Sequence, residues 1–241
     1  MKRIVSIAFM MLSLVVVCQA VEHRVVKYAN GVTRYEGDFQ DGKPIGEVKR
    51  YHENGRLSCV QTFDEEGNSQ VIFYAGSGDL LAKGQYVGKH REGEWKFYGE
   101  GEYLFMVEHY DKGMRVGETL IFNKVGKVMQ RVPYVDGKID GERIHYYPYG
   151  NVLAKYSYKQ GILDGPYSYF YETGQPNEEG SYLNGKPHGI WRSYAEDGTF
   201  EEVEFIEGNS KSGFHLPQEP DQTGKKYKYE TYLKEIEELK G

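Results

Sequence analysis

An aromatic residue recurs about every twelve positions along most of the chain, and this spacing constrains the fold more than any other feature. The gaps between successive members are all 11 or 12 residues. The series is Tyr28, Phe39, Tyr51, Phe63, Tyr74, Tyr86, Tyr98, Tyr110, Phe122, Tyr134, Tyr146, Tyr158, Phe170, Tyr182, Tyr194 and Phe205. Such a step holds a strand of about six to eight residues plus a turn, whereas a helix would show a 3.6-residue period. The spacing therefore predicts an all-β chain.

Glycines show that the repeating unit is two such steps, or about 24 residues. Many of them follow Asn or Asp, as in Asn30-Gly31 and Asp136-Gly137, and these pairs supply the positive φ angles of tight hairpin turns. A further glycine row precedes the repeat-defining aromatics by five residues. Those aromatics are Tyr51, Tyr98, Phe122, Tyr146, Phe170 and Tyr194. Consecutive strands joined by short turns pair antiparallel.

We therefore predict an elongated, twisted antiparallel meander of about sixteen strands, on the order of 70 Å long. The aromatics should lie at strand ends and form two rows, one along each edge. Tyr167 and Tyr169 alternate with Phe170, which favours two partly apolar faces over a single core. We expect a local irregularity between residues 64 and 93, because the spacing shortens after Phe63 and Glu92 lengthens the segment before Gly93. The run Asp64-Glu65-Glu66-Gly67 predicts a shorter turn there.

The two ends of the chain differ from the repeats. Residues 1–20 combine a basic start, an apolar run and small residues at Cys18 and Ala20, which is the pattern of a secretory signal peptide. An uncleaved anchor and lipid attachment at Cys18 are the alternatives. Residues 21–213 form the repeat array. Residues 214–241 form a linker and a short amphipathic helix over about 228–240, with Tyr229, Tyr232, Leu233, Ile236 and Leu239 at helical spacing.

The predicted export places the mature protein in the periplasm, on the envelope or outside the cell. Removing the signal peptide deletes Lys2 and Arg3, so the formal charge falls from −6 to −8. An acidic chain without a basic tract argues against nucleic-acid binding and does not favour anionic lipid. Only Cys59 then remains, which excludes an internal disulfide.

No catalytic, metal or cofactor motif is recognisable. No two of the seven histidines are three or four residues apart, as paired metal ligands would be. The acidic run Asp64-Glu65-Glu66 lacks the alternating ladder of a calcium loop. The glycine clusters lie between strands, whereas phosphate-binding loops precede helices. We predict a non-enzymatic protein.

One segment gives the repeat in its cleanest form: Tyr182-Leu-Asn-Gly185-Lys-Pro-His-Gly189-Ile-Trp191-Arg-Ser-Tyr194-Ala-Glu-Asp-Gly198. This pattern resembles the bacterial variant of the MORN repeat, found in YwqK-type antitoxin proteins. Residues 137–150 and 161–174 match it with Arg143 and Tyr167 at the Trp position. Trp95 keeps the tryptophan, and Val48 and Thr119 replace it in weaker copies. The resemblance covers roughly residues 28–213.

The resemblance implies protein–protein contact, and in some members neutralisation of a toxin. The first hypothesis is an exported scaffold that binds an unidentified protein partner, with immunity to an exported toxin as a special case. The alternative is an envelope or surface module that binds membrane or glycan through Tyr and Trp. Candidate interaction residues are Trp95, Tyr167, Tyr169 and Trp191, although the tryptophans also fill a position that the fold itself needs.

Overall fold

A computed structural model describes residues 20–210, and these residues form nineteen β-strands and no helix. The strands are β1 Glu22–Lys27, β2 Thr33–Gln40, β3 Lys43–Tyr51, β4 Leu57–Phe63, β5 Ser69–Tyr74, β6 Leu80–Val87, β7 His90–Tyr98, β8 Leu104–Asp111, β9 Met114–Arg115, β10 Gly117–Phe122, β11 Val128–Val135, β12 Lys138–Ile139, β13 Gly141–Tyr146, β14 Val152–Lys159, β15 Ile162–Phe170, β16 Pro176–Leu183, β17 Lys186–Tyr194, β18 Phe200–Ile206 and β19 Asn209–Ser210. The predicted signal peptide, up to residue 19, and the predicted C-terminal helix lie outside the described residues.

All pairings between strands are antiparallel, and apart from β9–β10 and β12–β13 each strand pairs with the next one in the chain, so the sheet is one open meander in sequence order. Val116 separates β9 from β10, and Asp140 separates β12 from β13, so each of these pairs is one interrupted strand. Counted in this way, the described residues form seventeen strands, the last of only two residues. The predicted all-β meander is confirmed.

The two edges of the sheet have different turns. At one edge, which we call the narrow-turn edge, two-residue turns such as Asn184-Gly185 have φ of 51° and 81°, as a type I′ hairpin requires. At the other, the wide-turn edge, the chain needs more residues. The amide of Gly174 donates to the carbonyl of Tyr171 at 2.8 Å, and the amide of Tyr171 donates to the carbonyl of Gln175 at 2.9 Å.

The predicted irregularity between residues 64 and 93 is present, although both of its predicted causes are wrong. The turn after Phe63 is longer than the two-residue turns, not shorter, with residues 64–68 between β4 and β5. The β4–β5 turn belongs to the narrow-turn edge but closes like a wide turn, because the amide of Asp64 donates to the carbonyl of Asn68 at 2.9 Å. The next turn on that edge keeps two residues between Val87 and His90. Its glycine, Gly88, has φ 59° in the first turn position, as in a type II′ turn. Glu92 therefore adds no residue to this turn.

The aromatic side chains form two rows at opposite edges, as predicted, and the rows also lie on opposite faces. The rings of Tyr86 and Tyr110, near the narrow-turn edge, contact Trp95 edge-on at 5.1 and 6.3 Å between centroids. The repeat-defining Tyr194 lies on the other face, where its hydroxyl donates to Glu179 at 3.1 Å. Tyr28 is displaced from the series by one position. Its hydroxyl bonds the carbonyl of Tyr51, one repeat further on, at 2.7 Å.

Most buried side chains lie on one face, and the other face carries the half-buried aromatic row from Tyr51 to Tyr194. The expectation of two partly apolar faces is therefore correct only in part, because burial is concentrated on one of them. Trp95 and Phe97 anchor the N-terminal core cluster, and Tyr167 and Trp191 anchor the C-terminal cluster. We call this the core face. The opposite, charged face carries ion pairs such as Lys96–Glu94 at 2.8 Å. The other pairs are Lys49–Glu47, Arg131–Glu118, Lys155–Glu142 and Arg192–Glu202. They are solvent-exposed, so they contribute little to stability.

Candidate protein-binding surface

Trp95 is fully buried although the sheet has a single layer. Its ring lies against Gly84 of the adjacent strand, where a β-carbon would fall 2.3 Å from the indole. The guanidinium of Arg91 lies over the ring at 4.6 Å from its centroid. The indole N–H donates to the carbonyl of Gln85 at 3.2 Å. Because both faces of the ring and its N–H are occupied within the chain, Trp95 stabilises the sheet.

Trp191 occupies the equivalent place four hairpins later. Its ring lies against Gly180, with 2.2 Å to a β-carbon built there, and its N–H donates to the carbonyl of Ser181 at 3.2 Å. Tyr167 stacks on it at 5.2 Å with an interplanar angle of 28°. Trp191 is fully buried and Tyr167 is 2% exposed. Both rings therefore pack as Trp95 does.

Tyr169 is the one predicted interaction residue that solvent still reaches. It is half-buried at the side of the C-terminal cluster. The repeat-defining aromatics, from Tyr51 to Tyr194, are half-buried at strand ends on the charged face. The Tyr51 hydroxyl donates to Glu36 at 2.5 Å. This bond, followed by burial, raises the pKa of Tyr51 to about 12, so the phenol stays protonated at neutral pH.

A first buried polar group on the core face is Glu108, which is 1% exposed. Its carboxylate accepts a hydrogen bond from the Tyr110 hydroxyl at 2.6 Å and pairs with the guanidinium of Arg115 at 3.0 Å. Burial is the main reason why the pKa of Tyr110 is raised. A buried charge with two such partners is satisfied, so this trio is part of the scaffold.

Two further buried groups titrate abnormally. Desolvation raises the pKa of Glu178 to about 7, and the hydrogen bond from Tyr167 at 3.3 Å opposes that rise. Desolvation, reinforced by the nearby charge of Arg143, lowers the pKa of His145 to about 3. Perturbed groups mark functional sites only when they converge on a reachable cleft. His145 and Glu178 are each 3% exposed, packed against aromatic rings, and we assign them to the core.

Metal binding has no support within residues 20–210, where no group of three or more His, Cys, Asp or Glu side chains could hold an ion. None of these residues belongs to a helix long and apolar enough to span a membrane.

A line of exposed apolar side chains, not predicted from the sequence, runs along the narrow-turn edge. Each one directly flanks a two-residue turn, and their exposed fractions range from 43% to 62%. We call this line the apolar tip row. Its members are Val87, Met114, Val135, Ile162, Leu183 and Ile206. The repeat period of the sequence does not reveal them, because the apolar residue precedes the turn in four hairpins and follows it in two.

The tip row has a cross-strand partner of different chemistry at each turn. In three consecutive hairpins this partner is lysine: Val135 pairs with Lys138, Ile162 with Lys159, and Leu183 with Lys186. Cross-strand partners share one face of a sheet. From Val135 to Leu183 the row is therefore a band in which apolar and cationic groups lie side by side.

The turns beneath the tip row are held in a fixed stack. From Gly113 onward, the amide of each turn glycine on this edge donates to a carbonyl of the preceding hairpin, as from Gly185 to Leu163 at 2.7 Å and from Gly161 to Ile139 at 2.7 Å. The same bond recurs from Gly113, Gly137 and Gly208. Because these bonds tie each hairpin to the next, the exposed side chains have a regular spacing along the edge.

Comparison with known families identifies the repeat. The family model described as MORN repeat variant matches residues 44–65, 139–160 and 163–184. These segments correspond to the hairpins β3–β4, β13–β14 and β15–β16, so the predicted repeat type is confirmed there. MORN repeats are generally binding modules for proteins or membranes and are not catalytic. No curated protein matches the chain.

Proposed function

We propose that this MORN-repeat protein is an exported, non-enzymatic scaffold that binds a protein partner along the apolar tip row. The observation that carries the proposal is the row itself. Apolar side chains at the tips of stacked hairpins are exposed to solvent, while the large rings of the core face are buried and packed against one another. Exposed apolar groups arranged in a line with a polar border are typical of interaction sites.

The lysines beside Val135, Ile162 and Leu183 indicate the chemistry of the partner. Such a band favours an amphipathic segment with acidic groups beside its apolar stripe, since opposite charges steer and align the partners. An exported toxin domain with an acidic patch would fit, and immunity to such a toxin is the special case that we propose. It is supported by the resemblance to YwqK-type antitoxins and by the predicted signal peptide.

Quantitative capture from the source organism tests the proposal. The bait is the purified protein, compared with the double variant Val135→Asp/Leu183→Asp. Tyr149→Asp is the matched control, because Tyr149 is 78% exposed but lies on the wide-turn edge. We expect a partner retained by the parent and the control and lost from the double variant. A partner retained equally by all three baits would refute the tip row as the binding surface.

Membrane binding is the second candidate, because apolar tips beside lysines also suit a lipid surface. Of the four Tyr and Trp residues predicted to bind the membrane, only Tyr169 is partly accessible to solvent. Sedimentation with vesicles of neutral and anionic lipid separates the candidates. Co-sedimentation that depends on Leu183 would favour the membrane, and its absence together with protein capture would favour the scaffold.

A further inference from the structure

The described chain ends at the tip row. Ser210 lies in β19, directly after the narrow turn that follows Ile206. Ile206 is 62% exposed and Leu183, one hairpin earlier, is 47% exposed. The last described residue therefore lies beside the last members of the row.

The remaining sequence contains a segment of matching chemistry. Residues 228–240 carry Tyr229, Tyr232, Leu233, Ile236 and Leu239 at the i, i+3, i+4, i+7 and i+10 positions of one helical stripe. The other positions include four glutamates and three lysines. The sequence thus provides one amphipathic segment with a slight excess of acid.

The helical stripe of residues 228–240 and the tip row have matching spacings. Successive hairpins are two strands apart, which is about 9.6 Å. Seven residues of α-helix advance about 10.5 Å. A helix along the edge would therefore bring Tyr229 and Ile236 to neighbouring hairpins of the row. The glutamates would lie within reach of Lys159 and Lys186, which are cross-strand partners of Ile162 and Leu183.

The connection is long enough. Residues 211–227 can span up to about 55 Å when extended, which exceeds the roughly 20 Å that separate Ile162 from Ile206 across two hairpins. A tethered segment also has a high effective concentration at its site, so modest contacts suffice for occupancy.

We propose that residues 228–240 dock as an amphipathic helix on the tip row at Ile162, Leu183 and Ile206. The docked segment covers the C-terminal part of the row. A partner must displace it there, which makes the tail an intramolecular competitor. Docking itself is independent of the proposed function, whereas the competitor role rests on it.

Hydrogen exchange of the purified full chain, measured by mass spectrometry, tests docking without any partner. We expect the amides of residues 228–240 to exchange at least about tenfold more slowly than those of an undocked peptide of the same sequence. Leu183→Asp/Ile206→Asp should abolish this protection, and Tyr149→Asp should leave it unchanged. Ile236→Asp, a change outside residues 20–210, should abolish it too.

Several outcomes would overturn the proposal. Tail amides that are unprotected in the parent, or still protected in the Leu183→Asp/Ile206→Asp variant, would do so. Protection that rises with protein concentration, together with a dimer mass in light scattering, would place the segment on a second copy. Protection only with added anionic vesicles would assign it to a membrane. If docking fails but capture still depends on Val135 and Leu183, the proposed function stands without the competitor.

Discussion

The indole of Trp95 occupies the place where a side chain at residue 84 would lie: a β-carbon built on Gly84 falls 2.3 Å from Cδ2 of the ring. Trp191 and Gly180 repeat this relationship at 2.2 Å. A large ring is buried on a single-layer sheet because the neighbouring strand supplies bare backbone. The tryptophan of the repeat motif therefore depends on a glycine eleven residues earlier, in the preceding strand.

Replacing Gly84 by Ala should destabilise the protein by roughly 1–3 kcal/mol, as overpacking of a core does. The reason is that Trp95 must leave its position. Chemical denaturation measures the loss, and Gly76→Ala is the control because only one atom, 4.0 Å away, approaches its β-carbon. The double variant Gly84→Ala/Trp95→Val should lose less than the sum of the single changes. Strict additivity would show that the two residues are not coupled.

Glu178→Gln should stabilise the protein above pH 7 by up to about 3 kcal/mol. The pKa of Glu178 in the folded protein is about 7, because burial disfavours its charged form. The folded state therefore binds more protons than the unfolded state between the ordinary carboxyl pKa and about pH 7. Stability is lost as pH rises through this window. Denaturation at pH 4.5 and pH 8 gives the comparison, and an equal effect at both pH values would contradict the raised pKa.

His145→Phe should make the protein less sensitive to acid. The pKa of His145 is lowered to about 3, first by burial and then by Arg143, so the neutral ring contributes stability above pH 6.5 that is lost as pH falls toward 3. Between pH 6.5 and pH 4 the parent should lose up to about 3 kcal/mol from this residue alone. Thermal melts from pH 7 to pH 4 check it, with the exposed His188→Phe as control. Parallel curves for the parent and His145→Phe would disprove the assignment.

The Cys59 thiol should resist alkylation in the native protein. It is 3% exposed and desolvation raises its pKa to about 12, so thiolate, the reactive form, is scarce at pH 8. Labelling with a thiol reagent should become fast only in denaturant. Rapid labelling without denaturant would show that β4 opens far more readily than its packing implies.

Local chemistry explains why so much of the fold could be predicted. Pairs such as Asn184-Gly185 fix positive φ angles within two residues, so turn positions and strand lengths follow from the sequence. The positions of the two aromatic rows at the edges follow from the same strand and turn lengths. The type II′ turn at Gly88 was misread because a glycine in the first turn position looks, in a sequence, like one extra residue.

The face on which a side chain lies, and its exposure, depend on the register between neighbouring strands. The pairing of β16 with β17 shifts between Glu179 and Ser181, so simple alternation along the sequence loses the correct face. Trp191 and Tyr194 lie on opposite faces. Their odd separation of three residues already predicts this from the sequence. The tip row was not predicted because some of its members precede the turn and others follow it, and only the stacked hairpins bring them into line.

The most direct test of the central claim is the affinity of the captured partner for the parent and for Val135→Asp/Leu183→Asp, measured by calorimetry at matched thermal stability. The account predicts that the double variant binds at least about a hundredfold more weakly, since burying two charges against an apolar partner costs several kcal/mol. It also predicts that Tyr149→Asp binds like the parent. Equal affinities for the parent and the double variant would contradict it.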